Sequence, residues 1–259
     1  MERTSNLFLS SLSAESRSRL LARFVDVDLP VHAVLYGTEH APRHAYFITS
    51  GLASVVTSMA EGETAEVGFI GNEGMVGSLQ LLGSAPLSTQ CMMQLAGSGL
   101  KISFAVLQSA FDTSEEIRKR ILEFVQEQTI TVAQIAGCNR LHGAEKRLIR
   151  WLLMAQDRAH SDVLAFTHEY LSEMIGTRRT TVTILAGRLQ VKGLLSYHRG
   201  AIRILNREGL EAIACDCYPI IKRLYANLYR GEGLLPNTDG NRLPPVVGEV
   251  AGPIAEKAS

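Results

Sequence analysis

The spacing of apolar residues divides the chain into successive regions. A short amphipathic helix is predicted over Ser13–Phe24. From Val25 to about Phe104 the apolar runs become short and end at glycines, and 10 of the 22 glycines lie between residues 37 and 99. Short runs bounded by glycine are typical of a β-sandwich or a small barrel. The predicted strands are Val34–Tyr36, Ala45–Ile48, Ala53–Met59 and Glu66–Ile70, with a hairpin tip at Ala60–Glu63.

A long helix is predicted after the strands. Thr113 and Glu116 have the separation of a capping box, and helical character continues to about Asn139. Its apolar residues form two stripes. This leaves two interpretations open, because such a helix either is buried within one domain or packs on its own domain and on a second copy. For the second interpretation, dimer contacts are predicted at Ile117, Ile121, Phe124, Gln128 and Ile135.

Three further helices are predicted in the C-terminal half. Ala144–Arg158 is amphipathic and carries Trp151, the single tryptophan, as a core residue. Thr167–Gly193 contains two helices joined by a turn at Gly176, with Thr167 as the cap of the first. In the second helix the buried face is predicted to be Val182, Leu185, Ala186 and Leu189, at positions i, i+3, i+4 and i+7.

The second helix has the chemistry of a major-groove reader. It begins near Arg178 and is basic in its first turn, and two helices joined by a glycine-containing turn have the geometry of a helix-turn-helix. Arginine donates two hydrogen bonds to guanine, whereas threonine and isoleucine methyls contact the thymine methyl. A β-hairpin wing around Arg199-Gly200 follows. The predicted DNA contacts are Thr167, His168, Arg178, Arg179, Thr180, Thr181, Thr183, Ile184, Arg188, His198 and Arg199.

Charge supports a polyanion partner for this part of the chain. The chain has 26 Lys and Arg residues and 26 Asp and Glu residues. Residues 140–230 nevertheless hold 15 basic and 8 acidic residues, whereas the remainder holds 11 basic and 18 acidic residues. A basic segment joined to an acidic one favours nucleic acid as the partner of the basic segment.

Composition excludes several other classes. No run approaches about 18 apolar residues, so no membrane span is expected. Met1–Leu12 lacks the pattern of a secretory signal. The four cysteines, Cys91, Cys138, Cys215 and Cys217, contain no CxxC pair and are compatible with a reducing cytoplasm, which is the expected location. Residues 231–259 hold 5 Gly and 4 Pro and are predicted to be a disordered tail.

Motifs of enzymes and cofactor sites are missing. The chain has no nucleophile elbow, no phosphate-binding GxxxxGK[ST] loop and no HExxH, so an enzyme is not expected. Cys215 and Cys217 alone are too few ligands for a zinc site, and His142, His160 and His198 lack motif spacing. No cofactor or metal is therefore predicted, although a thiol-based or metal-based switch stays open as a hypothesis.

The order of these parts resembles the Crp/Fnr family of bacterial transcription regulators. The resemblance covers about residues 7–228 and is carried by Cys138–Arg158, by the helix-turn-helix Thr167–Gly193, and by the sensor segments Tyr46–Gly51 and Gly71–Gly77. It implies an α+β fold with an N-terminal jelly-roll domain (a double-stranded β-helix, cyclic-nucleotide-binding-like), a long dimerisation helix and a C-terminal winged helix-turn-helix. It also implies a homodimer on a palindromic operator, with Arg179, Thr180 and Ile184 reading bases.

Departures from the family concern the effector pocket, which is placed at Gly77, Ser78, Leu87 and Ser88. In the family that this chain resembles, members that bind cyclic nucleotides carry a Glu that contacts the ribose and an Arg that contacts the phosphate. At those positions this chain has Ser78 and Leu87. A phosphate buried without a cation is costly, so cyclic AMP is not the expected effector. No cysteine precedes Cys91, so the N-terminal iron–sulfur centre of the oxygen-sensing branch is not expected either.

The predicted organisation is a sensor domain at residues 1–111, a dimerisation helix at 112–142, a winged helix-turn-helix domain at 143–230 and the tail at 231–259. The predicted function is sequence-specific DNA binding and transcription regulation. The predicted partners are double-stranded DNA, a second copy, a small-molecule effector of unknown identity and RNA polymerase, with no membrane. The alternative is a small-molecule-responsive or thiol/metal-responsive binding module with little DNA specificity.

Overall fold

The computed structural model describes residues 5–38, 42–59, 64–83 and 88–229. The helices are α1 (Leu7–Ser10), α2 (Ala14–Leu21), α3 (Phe104–Thr113), α4 (Glu115–Leu141), α5 (Ala144–Ala159), α6 (His168–Met174), α7 (Arg179–Val191), α8 (Arg207–Ile213) and α9 (Cys217–Leu228). The strands are β1 (Val25–Leu29), β2 (Val34–Tyr36), β3 (His44–Ser58), β4 (Thr64–Ile70), β5 (Met75–Val76), β6 (Thr89–Ser103), β7 (Val163–Leu164), β8 (Leu195–His198) and β9 (Ala201–Ile204). The predicted α+β architecture is confirmed: an antiparallel β domain, a long helix and a winged helix-turn-helix.

The N-terminal domain is built on two long antiparallel strands. β6 and β3 lie side by side at the centre of the order β1-β6-β3-β4, while β2 pairs with β6 and β5 with β3. The two strands predicted over Ala45–Ile48 and Ala53–Met59 are one strand, because β3 continues through a bulge at Ser50–Leu52. Gly51 has φ +86° there, and a Cβ at the facing Gly97 would lie 1.9 Å from the Ser50 carbonyl oxygen. Only glycines tolerate this crossing.

The long helix begins one residue later than the capping-box prediction. Ser114 is the N-cap of α4, and its hydroxyl accepts a hydrogen bond from the Ile117 amide at 3.4 Å. The Glu116 carboxylate does not return to Thr113. It accepts hydrogen bonds from the Ser13 amide at 2.6 Å and from the Ser13 hydroxyl at 2.8 Å, so it ties α4 to the start of α2.

Two apolar cores hold the molecule together. The first lies between the sheet and helices α1 to α4 and includes Phe8, Phe47 and Phe124. The second is the core of the C-terminal domain, yet it also contains Leu52 and Phe69 from strands β3 and β4. The sensor sheet and the C-terminal domain therefore share one core, which sets the position of the C-terminal domain in this structure.

The chain changes direction between α4 and α5. α4 ends at Leu141, His142 is its extended C-cap, and Gly143 is the N-cap of α5. The C-terminal domain then forms a small antiparallel sheet in the order β7-β9-β8, and α9 runs back along α4. The predicted hairpin tip at 60–63, Leu87 and the tail at 231–259 lie outside the described residues.

Candidate functional site

Helices α6 and α7 form the predicted pair. The Thr167 hydroxyl accepts a hydrogen bond from the Tyr170 amide at 3.1 Å and so caps α6. Gly176 takes φ +60° in the turn, a left-handed conformation that glycine adopts without strain. On α7 the buried side chains are those of Val182, Leu185, Ala186 and Leu189, as the spacing predicts. The packing of this face leaves the opposite face of α7 in solvent.

The outward face of α7 carries most of the predicted DNA contacts. Arg178 is the N-cap and Arg179 the first helical residue, and both are exposed. Ile184 is 57% exposed, which is unusual for a large apolar side chain and provides a methyl-rich contact surface. Thr181 is half-buried, whereas the remaining predicted contacts of this helix are exposed: Thr180, Thr183 and Arg188.

The Arg179 guanidinium pairs with the Glu169 carboxylate of α6 at 3.4 Å. Both side chains are more than half exposed, and an ion pair in water contributes only about 0–1 kcal/mol. The pair therefore orients the guanidinium at the N-terminal end of α7, and the guanidinium can readily exchange Glu169 for a stronger acceptor.

His168 joins three elements of this domain. Its ring stacks on the Tyr197 ring of β8, with centroids 3.8 Å apart, and its Nδ1 lies 3.0 Å from the Thr183 hydroxyl of α7. Burial, with a smaller contribution from the positive charge of Arg179, lowers the pKa of His168 below its usual value. The ring is thus a neutral packing group that fixes the wing against α7, in addition to its predicted place at the DNA surface.

The wing forms as predicted, with β8 and β9 joined by Arg199-Gly200. Arg199 and Gly200 take φ +47° and +79°, the mirror-image turn that suits a tight hairpin. His198 and Arg199 are exposed at its tip. The structure adds one basic residue that the sequence analysis did not name: Arg203 is exposed on β9 between the buried Ile202 and Ile204. Alternation of apolar and basic residues over 202–204 is the signal that indicates this position.

A cavity of about 420 Å³ lies between the sheet and α4. Three of the four residues predicted for the effector pocket line it, namely Gly77, Ser78 and Ser88, and Leu87 lies outside the described residues. The other lining side chains are apolar or neutral, including Tyr36, Val125 and Gln128. Among the described residues no charged side chain lines this cavity.

Family models match both halves of the chain. The model of the cyclic nucleotide-binding domain matches residues 27–114, and that of the Crp-like helix-turn-helix domain matches residues 146–213. The chain belongs to the Crp/Fnr family. Crp/Fnr proteins are DNA-binding transcription regulators with a sensor domain and are not enzymes, which confirms those predictions.

Solved structures show the same fold at low sequence identity. FixK2 from Bradyrhizobium japonicum has a TM-score of 0.63 and 15% identity, with 74% of this chain and 98% of that one covered. The c-di-GMP responsive regulator CLP from Xanthomonas campestris has a TM-score of 0.61 and 18% identity, with 74% of this chain and 99% of that one covered. A CRP-family regulator from Thermus thermophilus has a TM-score of 0.60 and 18% identity, with 72% of this chain and 95% of that one covered. No curated protein sequence matches this chain significantly.

The long helix of this Crp/Fnr chain differs from the prediction in which face it leaves free. Ile117, Ile121, Phe124 and Ile135 are buried within the chain, and Gln128 lines the cavity. This corrects the predicted dimer contacts at Ile117, Ile121, Phe124 and Ile135, because side chains already packed in the same chain are not available to a second copy. Gln128 is half-buried beside the cavity and stays a predicted contact. Within the described ranges, no helix combines the length and apolarity needed to cross a membrane.

Polar groups buried between the sensor and the DNA-binding domain were not predicted. Glu66 of β4 accepts hydrogen bonds from Trp151 Nε1 of α5 at 2.6 Å and from the Ser54 hydroxyl at 2.5 Å. Burial raises the pKa of Glu66 to about 7, although these hydrogen bonds oppose the shift. Glu73, in the loop after β4, accepts a hydrogen bond from Arg158 Nε at 2.7 Å, and both side chains are buried. We call the group formed by Ser54, Glu66 and Trp151, together with the Glu73–Arg158 pair, the interdomain seam.

Proposed function

We propose that the chain acts in the cytoplasm as a homodimer that reads an inverted repeat in DNA through two copies of α7. The exposed, arginine-led face of α7 is the observation that carries this proposal. Arg178 and Arg179 stand where a helix entering the major groove meets base edges, and Ile184 is placed for thymine methyls. Arg199 and Arg203 of the wing are placed for phosphates on either side.

The dimer contact is assigned to the exposed face of α4. Leu122, Thr129 and Ala136 recur every seven residues on this face, and Leu122 and Ile130 are 45% and 44% exposed. A seven-residue repeat of apolar and small residues is the pattern of a two-stranded coiled coil. Two-fold symmetry about this helix would set the two half-sites about one helical turn apart.

The sensor is proposed to tune DNA affinity through strands β3 and β4. One face of these strands lines the cavity through Val55, Thr57 and Gly68. The opposite face carries Ser54 and Glu66 of the interdomain seam. A molecule that fills the cavity would press on the same strands that hold the DNA-binding domain, and any difference in its affinity for two domain arrangements would shift their populations.

The effector is proposed to be neutral. The described lining of the cavity offers hydroxyls, the amides of Gln80 and Gln128, apolar surface and no cation, so a cyclic phosphate would lose its hydration without a compensating positive charge. Calorimetry of the purified chain with cyclic AMP should show no heat of binding. A micromolar affinity would contradict this assignment.

The decisive experiment is selection of bound sequences from random duplex DNA at a fixed salt concentration. The native chain should enrich an inverted repeat. Arg179→Ala should lose the preference at one base pair of each half-site, at a cost of about 1–3 kcal/mol per pair, because a bidentate arginine contact is removed. Arg19→Ala is the matched control, since Arg19 is an exposed arginine on α2 with the same change of charge.

Two outcomes would count against the proposal. If Arg179→Ala selects the same site with the same affinity, Arg179 does not read a base. If the native chain enriches no sequence at low salt, where phosphate contacts are strongest, the alternative of a binding module with little DNA specificity replaces it.

A further inference from the structure

Three cysteines and one histidine meet where α4 ends. Cys138 and His142 lie four residues apart, on the last turn of α4 and at its C-cap. Cys215 precedes α9 and Cys217 is its first residue. The ligand atoms of the four side chains all lie within 4.8 Å of one another. The three cysteines are buried and none forms a disulfide, so the cluster is a sheltered group of free thiols beside an imidazole.

Two of the six separations between these ligand atoms match the edges of one tetrahedron. The sulfurs of Cys138 and Cys215 are 3.7 Å apart, and the Cys217 sulfur lies 3.5 Å from His142 Nδ1. Zinc bonds of about 2.3 Å to sulfur and about 2.0–2.1 Å to nitrogen, at tetrahedral angles, give edges of about 3.8 Å and about 3.6 Å respectively. These two edges fit a single tetrahedral ion, and the remaining separations, all within 4.8 Å, would shorten on binding it.

Two other chemistries of clustered cysteines fit less well. A disulfide between Cys138 and Cys215 would need their sulfurs at about 2.05 Å, far closer than the 3.7 Å found. An iron–sulfur cluster places its thiolates on different iron atoms and so needs ligands spread more widely than those of one ion. The compactness of the group favours a single metal ion.

The surroundings supply charge and hydrogen bonds that such a centre requires. A zinc ion with three thiolates and a neutral imidazole has a net charge of −1. Arg150 is 2% exposed, its Nε has no hydrogen-bond partner among the described residues, and its Nη2 donates to the Asn139 side chain at 3.4 Å, one residue after Cys138. Gln134 Nε2 donates to the Cys217 sulfur at 3.1 Å, as outer-sphere donors to ligands do.

We propose that Cys138, His142, Cys215 and Cys217 form a Cys3His zinc site that fastens α9 to the end of α4. The site does not overlap the proposed DNA-reading surface, since its residues lie outside α7. It includes the residue at which the chain turns from α4 into α5. Bound zinc would therefore fix the junction between the long helix and the DNA-binding domain.

The test is the metal content of the full chain, purified under reducing conditions and measured by inductively coupled plasma mass spectrometry. The native chain should hold about one zinc ion, and Cys215→Ser and His142→Ala should bind zinc at least about tenfold more weakly, because even loss of an outer-sphere partner typically costs that much. Cys91→Ala is the matched control, since Cys91 is a buried thiol in the sensor core, and its zinc content should equal that of the native chain.

A second measurement needs no variant and so does not depend on whether the variants fold. Cobalt(II) added to the metal-stripped native chain should give the intense visible bands of a tetrahedral thiolate complex, and zinc should abolish them. The proposal is overturned if the reduced native chain takes up neither ion, if Cys215→Ser keeps its full zinc content, or if peptide mapping of the reduced chain finds Cys138 and Cys215 disulfide-bonded. DNA selection by the native chain is read out separately, so a negative metal result leaves the proposed function standing.

Discussion

The exposed face of α7 that carries Arg179 and Ile184, here called the recognition face, contains an arginine–carboxylate pair, and so does the interdomain seam. The two pairs lie in opposite surroundings. Arg179 is 69% exposed and lies 3.4 Å from Glu169, whereas Arg158 is 5% exposed and lies 2.7 Å from the fully buried Glu73. An exposed pair is weak and exchanges its partner easily. A buried pair resists separation, because loss of one partner leaves a charge without water or counterion.

This contrast assigns different roles to the two regions. The recognition face is proposed to contact DNA, and its own intramolecular contacts cost little to break. The seam holds the DNA-binding domain against the sensor, with the second core packed around it and the Phe69 and Trp151 rings 5.7 Å apart. Any rearrangement of the domains that separates β4 from α5 must break the seam. We therefore propose that the sensor and the DNA-binding domain are coupled at the seam.

The largest predicted effect comes from removing the buried arginine. Arg158→Ala leaves the Glu73 carboxylate buried without its partner and removes the cation that lies 5.0 Å from the centre of the Phe69 ring. We expect the free energy of unfolding to fall by about 3–5 kcal/mol. Denaturant unfolding followed by circular dichroism measures this loss.

Arg19→Ala is the control for this change. Arg19 pairs with Glu15 on the exposed surface of α2, so its loss should change stability by less than about 0.5 kcal/mol. Equal stabilities of Arg158→Ala and Arg19→Ala would show that the seam does not hold the domains together, and the contrast between the two regions would fail.

The second predicted effect is a pH dependence that originates at Glu66. Burial raises its pKa from 4.5 to about 7 in the folded chain, so the folded state binds the proton more tightly than the unfolded state does. The stability from this group is fully present below about pH 4.5 and is lost as pH rises towards 7. The loss should be on the order of 3 kcal/mol, and unfolding curves between pH 5 and about 7.5 measure it.

Glu66→Gln isolates this effect from the other titrating groups. Glutamine keeps an oxygen for Trp151 Nε1 and an amide for Ser54, but it carries no proton that titrates in this range. The charged groups around position 66 are Arg150 and Arg158, and the Tyr170 phenol, whose pKa is raised by burial, stays neutral over this window. If the native chain and Glu66→Gln show the same pH profile, Glu66 does not titrate in the seam.

The sequence predicts well which side of α7 is buried and which is exposed, but it does not predict the seam at all, for a physical reason. Residues of α7 that share a face recur with the helical period, so Val182 and Leu185 identify the buried side and Arg179 the other. Glu66 and Trp151, and likewise Glu73 and Arg158, are each separated by 85 residues, and no local pattern pairs them. Their partners are decided by how the two domains pack.

The long helix and the cysteine cluster lie between these extremes. The sequence predicts the two apolar stripes of α4. Periodicity alone does not show which stripe packs on the sheet of the same chain and which is left for a second copy. At the cysteines, the separation of four residues from Cys138 to His142 puts both side chains on one helix face, a local signal that the sequence analysis did not use. The other half depends on α9 packing back along α4.

The smallest predicted effect returns to the recognition region. Arg199 is exposed at the tip of the wing, in a left-handed turn conformation that Asn or Gly also adopts. Arg199→Asn should change the free energy of unfolding by less than about 0.5 kcal/mol, because no buried contact is lost. It should weaken binding to all DNA sequences to a similar extent and reduce the slope of log affinity against log salt by about 1, since one phosphate contact is lost. Binding titrations at several salt concentrations, on the selected inverted repeat and on a scrambled duplex, measure both quantities.

A loss confined to the selected repeat would instead make Arg199 a base reader and would extend the recognition surface from α7 into the wing.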